Sequence, residues 1–326
     1  MFIGLDIGRT IRGAVVREDG TILEGRQVVS EVRDQLEFIK QLVDMIGELA
    51  GGAGAGRHSV SSVGIGWPGL VNQRMNRLEV TPNILDLSSI DLYRELAKRT
   101  GLPILFENDA NAGAYGEWCA GAARGLKDVL FVALGTGIGA GLILEGRLQR
   151  GTLGFGGEFG HFKITAGGLE CGCGSTGCLE TMVSGPNIVR RVREHLFSDP
   201  TFSVSQLARD MEGILTCERI KQAAREDDDL ARAVLRETGV FLGMALSSVI
   251  NLLNVEMVVM GGGVMTSGEV LIEPIREETR NRTIPPAFNA CRIVAGELGQ
   301  DAGIIGAAML ARDREATRRL RGDAPQ

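Results

Sequence analysis

The 326-residue sequence lacks an excess of positive charge, a framework of paired cysteines and a long uninterrupted apolar run. Its formal net charge is −6, which argues against a nucleic-acid partner because phosphate binding requires clustered basic surface. The basic run at 312–321 is interpreted as the solvated end of a helix. No apolar stretch reaches membrane-spanning length without glycine or polar interruptions, so no membrane partner is predicted.

A targeting segment is not visible either. Met1 leads directly into strand-like residues, and Cys119, Cys217 and Cys291 are scattered along the chain. Both observations predict a reducing, cytoplasmic location. The length, with 44% hydrophobic and 23% charged residues, is sufficient for one large or two ordinary globular domains.

The remaining cysteines are concentrated in one short segment. Cys171, Cys173 and Cys178 lie within eight residues, and His161, one of three histidines, stands ten residues before the first of them. Three thiolates and one imidazole form a closed tetrahedral ligand set, which is typical of structural zinc. The alternatives are a redox pair, which would be strained between Cys171 and Cys173, and a coincidental cluster.

Two carboxylates flank this segment. Glu158 stands three residues before His161, and Glu180 stands two residues after Cys178. A bound ion would hold both carboxylates in fixed places. Carboxylates held in this way suit the binding of a polyhydroxylated ligand.

Strand-like runs alternate with helical periodicity, which favours an α/β chain. The predicted strands are 2–7, 11–17, 21–28, 60–66, 103–107, 129–134, 138–144, 147–150, 256–260 and 291–296. The predicted helices are 34–49, about 89–100, one that opens at 108 or 109, 185–197, 203–212, 216–226, 228–254, 268–281 and about 301–320. The pattern of strand, Gly/Thr loop, strand, turn and strand occurs twice, which indicates two domains of similar core facing each other across a cleft.

The first Gly/Thr loop follows Asp6 at a predicted strand end and contains Gly8 and Thr10. Backbone amides in such a turn can approach phosphates, and the carboxylate can hold hydrated Mg²⁺. A buried strand that ends in an ordinary hairpin is the alternative. The loop is not the GxxxxGK[ST] phosphate loop.

The second loop consists of Gly135, Thr136 and Gly137. An ordinary glycine-rich turn is again the alternative, but the two loops at repeated positions predict a bound nucleoside triphosphate. A strand follows this loop where a dinucleotide fingerprint requires a helix, so that interpretation is rejected. Gly262 and Gly263 stand between a predicted strand and a predicted helix, where a base or ribose could lie against backbone; a crowded turn is the alternative.

Asn108 and Asp109 stand where a predicted strand ends and a predicted helix begins. Either residue is suited to cap the helix. Asp109 could also accept a hydroxyl proton, as the aspartate base of many phosphotransferases does.

Three stretches together resemble the signature of the ROK family (repressor, open reading frame, kinase), and the resemblance covers nearly the whole chain. They are LGTGIGAG at 134–141, GFGGEFGH at 154–161 and CGCGSTGCLE at 171–180. The resemblance implies an α/β fold of two actin-like, ribonuclease H-like domains that close on a sugar and MgATP. We expect one domain at 1–115, with a C-terminal helix at about 301–326 packing back on it, and a second at 116–300 with a zinc-binding insertion. A homodimer or homotetramer is the expected assembly.

The resemblance also assigns roles by position, with Asp109 as the catalytic base toward a sugar 6-hydroxyl. The sugar-binding residues implied are Gly69, Asn83, Asn108, Asp109, Glu158, His161 and Glu180. The residues implied at ATP are Asp6, Gly8, Thr10, Gly135, Thr136 and Gly137 at the phosphates, and Gly262 and Gly263 at the adenosine. The zinc ligands implied are His161, Cys171, Cys173 and Cys178, so His161 could place one ring nitrogen on zinc and the other on sugar.

The sequence departs from the family pattern in two places. Arg9 and Ile11 stand where the family commonly has Gly and Lys, and the segment after Asn83 lacks the usual tryptophan. The first phosphate strand begins at residue 2, which leaves no room for the helix-turn-helix of the family's repressors. We therefore expect an ATP-dependent kinase of glucose, with N-acetylglucosamine or N-acetylmannosamine as the alternative substrates. A non-catalytic sugar-binding regulator is the alternative from another class.

Overall fold

The computed structural model describes residues 1–30, 32, 34–52, 60–75, 77–81, 87, 90–209 and 215–321. Contacts divide the chain into two compact units. The first consists of Met1–Lys127, Gly141–Gly157 and Glu297–Gln326, and the second of Asp128–Ala140 and Glu158–Gly296. The sequence prediction placed the boundary between residues 115 and 116.

Strands and helices alternate along the described chain. The strands are β1 (Phe2–Asp6), β2 (Thr10–Val16), β3 (Ile22–Val29), β4 (Ser62–Trp67), β5 (Leu70–Asn72), β6 (Arg77–Val80), β7 (Ile104–Asn108), β8 (Val129–Leu134), β9 (Ile138–Leu144), β10 (Arg147–Leu148), β11 (Met257–Gly261) and β12 (Arg292–Ala295). The helices are α1 (Gln35–Gly52), α2 (Leu92–Thr100), α3 (Asp109–Ala120), α4 (Glu180–Val183), α5 (Gly185–Ser198), α6 (Gln206–Arg209), α7 (Cys217–Arg225), α8 (Asp229–Leu253), α9 (Glu269–Arg282), α10 (Pro285–Ala290) and α11 (Ala302–Arg321).

The sheet of the first unit has the order β3-β2-β1-β4-β7. β1 and β2 form an antiparallel hairpin, whereas β1, β4 and β7 are parallel. Asp6 stands opposite Gly66, and Gly66 stands opposite Glu107. Because parallel strands end at one edge of a sheet, the Asp6 turn and the β7–α3 junction lie along the same edge.

The core of the first unit fixes the end of β4. All six residues of β4 are buried, and Trp67 is fully buried. The Trp67 ring lies edge-on to the rings of Phe38 and Phe106, with centroids 6.2 and 6.0 Å away. Such edge-to-face pairs add to the burial of apolar area, and they hold the strand end from which the Gly69 turn departs.

The C-terminal helix α11 packs on β1, β4 and α3. Small residues allow a very close approach, because a Cβ atom on Gly4 or Gly64 would lie 1.9 Å from a carbonyl oxygen of α11. A Cβ atom on Gly306 of α11 would lie 1.7 Å from the carbonyl oxygen of Ala112 in α3. The position of α3, which begins at Asp109, therefore depends on α11.

The second sheet has the order β10-β9-β8-β11-β12, and the division between the units runs through β9. Each five-stranded sheet begins with three consecutive strands in reverse order, β3-β2-β1 in one and β10-β9-β8 in the other, and two later strands follow. The strand pattern that occurs twice in the sequence is therefore present in both sheets. In the second unit α8 is long and apolar enough to cross a membrane by length and composition, but 61% of its most apolar window is buried inside the protein. That burial is typical of a core helix.

Short elements differ most from the sequence predictions. The helix predicted at 203–212 is a 3₁₀ turn at Pro200–Val204 followed by α6, and residues 210–214 lie outside the described chain. The strands β5 and β6 and the helices α4 and α10 were not predicted. Elements of two to six residues are too short to show a periodic pattern, which explains these differences.

Candidate active site

The junction of β7 and α3 fixes the predicted base. Asn108 is the N-cap of α3, and its side chain accepts a hydrogen bond from the Asn111 amide at 3.0 Å. The Asn108 Nδ2 donates to the Gly69 carbonyl and to Asp109 Oδ1, each at 3.1 Å. Asp109 Oδ1 also accepts from the Ala110 amide at 2.8 Å. The half-buried Asp109 carboxylate therefore lies at the positive end of the α3 dipole in a defined orientation.

The turn after β4 belongs to the same cluster. Gly69 has φ of +106°, a conformation that favours glycine, and this places its carbonyl oxygen on Asn108. Asn83, the other sugar-binding residue predicted from this part of the chain, lies outside the described residues.

An ion pair that the sequence prediction missed lies beside the first Gly/Thr loop. Arg12 binds the Asp6 carboxylate, and its Nη1 donates to Gln300 Oε1 at 3.1 Å. Burial raises the pKa of the Asp6 carboxyl, and the adjacent Arg12 guanidinium opposes that rise. Gly8 and Arg9 form the turn, Thr10 is the first residue of β2, and the Arg9 side chain is exposed. In the antiparallel pair of β1 and β2, Asp6 stands opposite Arg12. Pairing the two predicted strands across their short loop could have identified this ion pair from the sequence.

The second Gly/Thr loop, Gly135–Gly137, is closed by a hydrogen bond of its own backbone. The Gly135 amide donates to the Gly137 carbonyl at 2.9 Å, and the Gly185 amide donates to the Gly135 carbonyl at 2.8 Å. Glu180 Oε2 accepts from the Ile138 amide at 3.0 Å. A Cβ atom on Gly137 would lie 2.7 Å from that same carboxylate oxygen, so a larger residue there would require the Glu180 side chain to shift. Thr136 is exposed at the tip of the turn.

A buried lysine donates hydrogen bonds to the predicted adenosine loop. Lys221 of α7 is 5% exposed, and its Nζ donates to the Gly263 carbonyl at 2.8 Å and to Thr266 Oγ1 at 2.6 Å. Gly262 has φ of +90°, and a Cβ atom there would lie 2.4 Å from the Leu134 carbonyl. Lys221 was missed because no local motif marks it.

The four predicted zinc ligands come together. One ligand atom from each of His161, Cys171, Cys173 and Cys178 lies within 4.8 Å of all the others. Cys171 Sγ is 3.6 Å from His161 Nδ1, and Cys173 Sγ is 3.7 Å from Cys178 Sγ. Zinc–sulfur bonds of about 2.3 Å in a tetrahedron separate the sulfurs by about 3.8 Å. The donor set and its spacing therefore fit a zinc ion.

The two flanking carboxylates lie against this cluster. Glu158 Oε2 is 3.7 Å from His161 Nε2, and Glu180 Oε1 is 3.7 Å from Cys171 Sγ. The two nitrogens of His161 thus face different partners, one the sulfur cluster and the other Glu158. Lys163, which the sequence prediction also missed, donates to Cys178 Sγ at 2.8 Å.

The predicted site residues belong to both units. Asp6, Gly8, Thr10, Gly69, Asn108 and Asp109 belong to the first. Glu158, His161, Glu180, the three clustered cysteines and the Gly135–Gly137 and Gly262–Gly263 turns belong to the second. Within the first unit, hydrogen bonds join Gly69, Asn108 and Asp109. Within the second, His161 and the three cysteines lie together.

Comparisons with known proteins point to one family, which includes both sugar kinases and a transcriptional regulator. The model of the ROK family matches residues 2–314. A glucokinase of Streptomyces coelicolor is 35% identical over 319 residues, which is 95% of this chain and 97% of that protein. The crystal structure of a ROK family glucokinase from Streptomyces griseus, in complex with glucose and AMPPNP, is similar with a TM-score of 0.81 and 36% identity, over 96% of this chain and 99% of that chain. A ROK family transcriptional regulator, a homologue of the E. coli MLC protein, gives a TM-score of 0.85 at 29% identity, over 98% of this chain and 80% of that chain.

Proposed function

Because the chain belongs to the ROK family, we propose that it is an ATP-dependent sugar kinase that phosphorylates the 6-hydroxyl of glucose. The relatives named above as glucokinases match almost the full length of the chain. The predicted family is confirmed, and so is the predicted fold class, since solved ROK kinases with the actin-like fold match nearly the whole chain.

The observation that carries the proposal is the position of Asp109. Its carboxylate stands at the first residue of α3 and is oriented by Asn108 and by the Ala110 amide. In this arrangement Asp109 accepts the proton of the sugar 6-hydroxyl while that oxygen bonds to the γ-phosphorus in line. The bond from the γ-phosphorus to the β–γ bridging oxygen breaks, and ADP leaves. Proton transfer of this kind contributes about 10²–10⁴-fold to a rate, and positioning of the two substrates contributes as well.

The nucleotide is assigned to the two glycine turns and the adenosine loop. Tight backbone turns favour phosphate oxygens, and Gly135–Gly137 is closed into such a turn by a backbone hydrogen bond. Asp6 offers a carboxylate to the Mg²⁺ that accompanies ATP, and Arg12 offers a positive charge beside it. Arg9 is exposed at the same turn, where it is compatible with an active enzyme.

The sugar hydroxyls are assigned to carboxylates and polar groups of the described site. Glu158 and Glu180 accept hydrogen bonds from hydroxyls, and His161 contributes its Nε2, which faces away from the cysteines. Asn108 and the Gly69 turn lie beside the base. Asn83 keeps its predicted role at the same sugar.

We further propose that the Cys/His cluster holds one structural zinc ion. Four protein ligands would leave no open coordination position, so the ion would supply no reactive group. The ion would stabilise the local structure, because it would fix His161 beside Glu158 and Cys171 beside Glu180. We also propose that the protein is cytoplasmic. Its proposed assembly is a homodimer or a homotetramer.

A second candidate function is supported by the similarity to the ROK transcriptional regulator. A sugar-binding regulator on this fold would bind sugar without consuming ATP. A coupled assay of ADP release, run with glucose, N-acetylglucosamine, N-acetylmannosamine and no sugar, separates the two functions. We expect glucose to give the highest kcat/KM; sugar binding without ADP release on the whole panel would establish the regulator instead.

A further inference from the structure

Glu107, the residue before the N-cap of α3, is a buried carboxylate at the centre of a polar network. It is 1% exposed. Its Oε1 accepts from the Asn108 amide and from Asn111 Nδ2, each at 3.0 Å. Its Oε2 accepts from Arg150 Nε at 2.6 Å. A carboxylate removed from water is stable only when its oxygens are paired in this way, so Glu107 holds the start of α3 and Arg150 at once.

Arg150 is the base of a tight loop that leads toward the sugar-binding carboxylate Glu158. The Gly156 amide donates to the Arg150 carbonyl at 2.9 Å, which closes the loop. Gln73 also joins this loop to β7. Its backbone amide donates to the Leu153 carbonyl of the loop at 2.9 Å, and its Nε2 donates to the Phe106 carbonyl of β7 at 3.0 Å.

The loop has little freedom to move independently. A Cβ atom on Gly154 would lie 2.3 Å from the Val71 carbonyl, so the loop backbone lies directly on β5. The loop ends at Gly157, and the next residue in the chain is Glu158. A displacement of Arg150 would therefore be transmitted toward Glu158 along a short segment whose backbone contacts β5 at Gly154.

From this network we propose that the Glu107–Arg150 ion pair positions the sugar-binding residues and sets the affinity for the sugar. This inference rests on the proposed sugar kinase function. The Glu107 carboxylate fixes Asn108 by accepting a hydrogen bond from the Asn108 backbone amide. The same carboxylate binds Arg150 and so fixes the loop that precedes Glu158. Glu107 and Arg150 are positioning residues, and neither is assigned a contact with substrate.

The charges predict an unequal response to substitution. Arg150→Met leaves the Glu107 carboxylate buried without its cation, which is the more costly arrangement. In Glu107→Gln one oxygen can still accept from Asn108 and Asn111, while Arg150, which is 30% exposed, can turn toward water. The double variant Glu107→Gln/Arg150→Met has no buried charge, so it is expected to recover part of what Arg150→Met loses.

The test measures KM for glucose and for ATP separately, together with glucose affinity by calorimetry and the unfolding temperature. For Arg150→Met we expect KM for glucose to rise about tenfold or more, as for loss of a buried charge partner, and KM for ATP to change less than about twofold. Arg150→Lys keeps the charge and is expected to lie between wild type and Arg150→Met. Glu95→Gln, which breaks an exposed ion pair with Arg99 in α2, is the matched control and is expected to behave as wild type.

Two results would overturn the positioning role. One is a lower unfolding temperature with KM for glucose unchanged in Arg150→Met and Arg150→Lys; the other is a parallel rise of both KM values. A wild-type protein that binds glucose without consuming ATP would contradict the proposed kinase function, while the calorimetric comparison would still decide the positioning role. A wild-type protein that does not bind glucose would contradict both.

Discussion

At the scale of single residues, the proposed reaction depends on how Asp109 is held. The N-cap position of Asn108 and the register of three parallel strands bring Asp109 to the sheet edge at which Asp6 also lies. The sequence predicted this placement because a strand end followed by a capping residue is a local signal. The hydrogen bonds that orient the carboxylate could not be predicted, since the Gly69 carbonyl comes from 39 residues earlier in the chain.

Asp109→Asn is expected to lower kcat by about 10²-fold or more, because an amide cannot take up the hydroxyl proton. Glucose affinity is expected to stay within about threefold of wild type, since the amide keeps the size and polarity of the side chain. Turnover and calorimetric affinity are measured on the same preparation. Asp91→Asn at the N-cap of α2 is the control, because asparagine caps a helix as well as aspartate. Turnover of Asp109→Asn within tenfold of wild type would refute the base assignment.

Lys221→Met is expected to raise KM for ATP about tenfold while KM for glucose stays within about twofold. The reason is the loss of two charge-assisted hydrogen bonds beneath the adenosine loop, each worth about 1.5–3 kcal/mol. Lys98→Met, at an exposed lysine in the last turn of α2, removes the same charge elsewhere. The assignment of this loop to the nucleotide would fail if both KM values rose equally or if neither changed.

At the scale of elements, small residues let α11 approach β1, β4 and α3 closely enough to position α3. The sequence predicted α11 from its periodicity, and it predicted the repeated strand pattern that both sheets show. It could not predict which glycines lie at helix contacts, because Gly47 and Gly306 are both helical glycines and only the fold distinguishes them. A Cβ atom on Gly47 has no atom within 4 Å, whereas one on Gly306 overlaps a carbonyl oxygen.

Gly306→Ala is therefore expected to lower the unfolding temperature and the activity, and Gly47→Ala is expected to raise the unfolding temperature slightly. Alanine is favoured over glycine in a helix by about 0.5–1 kcal/mol, which applies to both variants. In Gly306→Ala the overlap with the Ala112 carbonyl costs about 1–3 kcal/mol or more and outweighs that gain. Thermal unfolding of the two variants side by side checks the contrast, and a Gly306→Ala protein as stable as Gly47→Ala would contradict it.

The metal segment 161–178 gives a prediction of its own. Elemental analysis of the wild type is expected to find about one zinc per chain, as a four-ligand site implies. Cys173→Ser is expected to lower zinc content, unfolding temperature and glucose affinity together, because the cluster orients Glu158 and Glu180. Cys119→Ser removes a thiol outside the cluster and is expected to keep the metal. A fully active wild-type protein without metal would contradict the structural role.

At the scale of the whole molecule, the family signature was sufficient to predict the family and the fold class. Three glycine-rich and cysteine-rich stretches in fixed order carry that information, because each must form a turn or a ligand set with one geometry. Affinity for the sugar is a different matter. We propose that it depends on the Glu107–Arg150 ion pair, which joins residues 43 positions apart and leaves no local pattern in the sequence. The segment around Asn83, where the predicted sugar contact lies, is outside the described residues.

The most direct test of the central claim is to identify the product. Wild-type protein is incubated with glucose and MgATP, and phosphorus NMR follows the formation of sugar phosphate and ADP in one sample. The kinase assignment predicts glucose 6-phosphate in a one-to-one ratio with ADP, formed more slowly by about 10²-fold or more with Asp109→Asn. ATP hydrolysis without sugar phosphate, or no consumption of ATP by a protein that binds glucose, would contradict it.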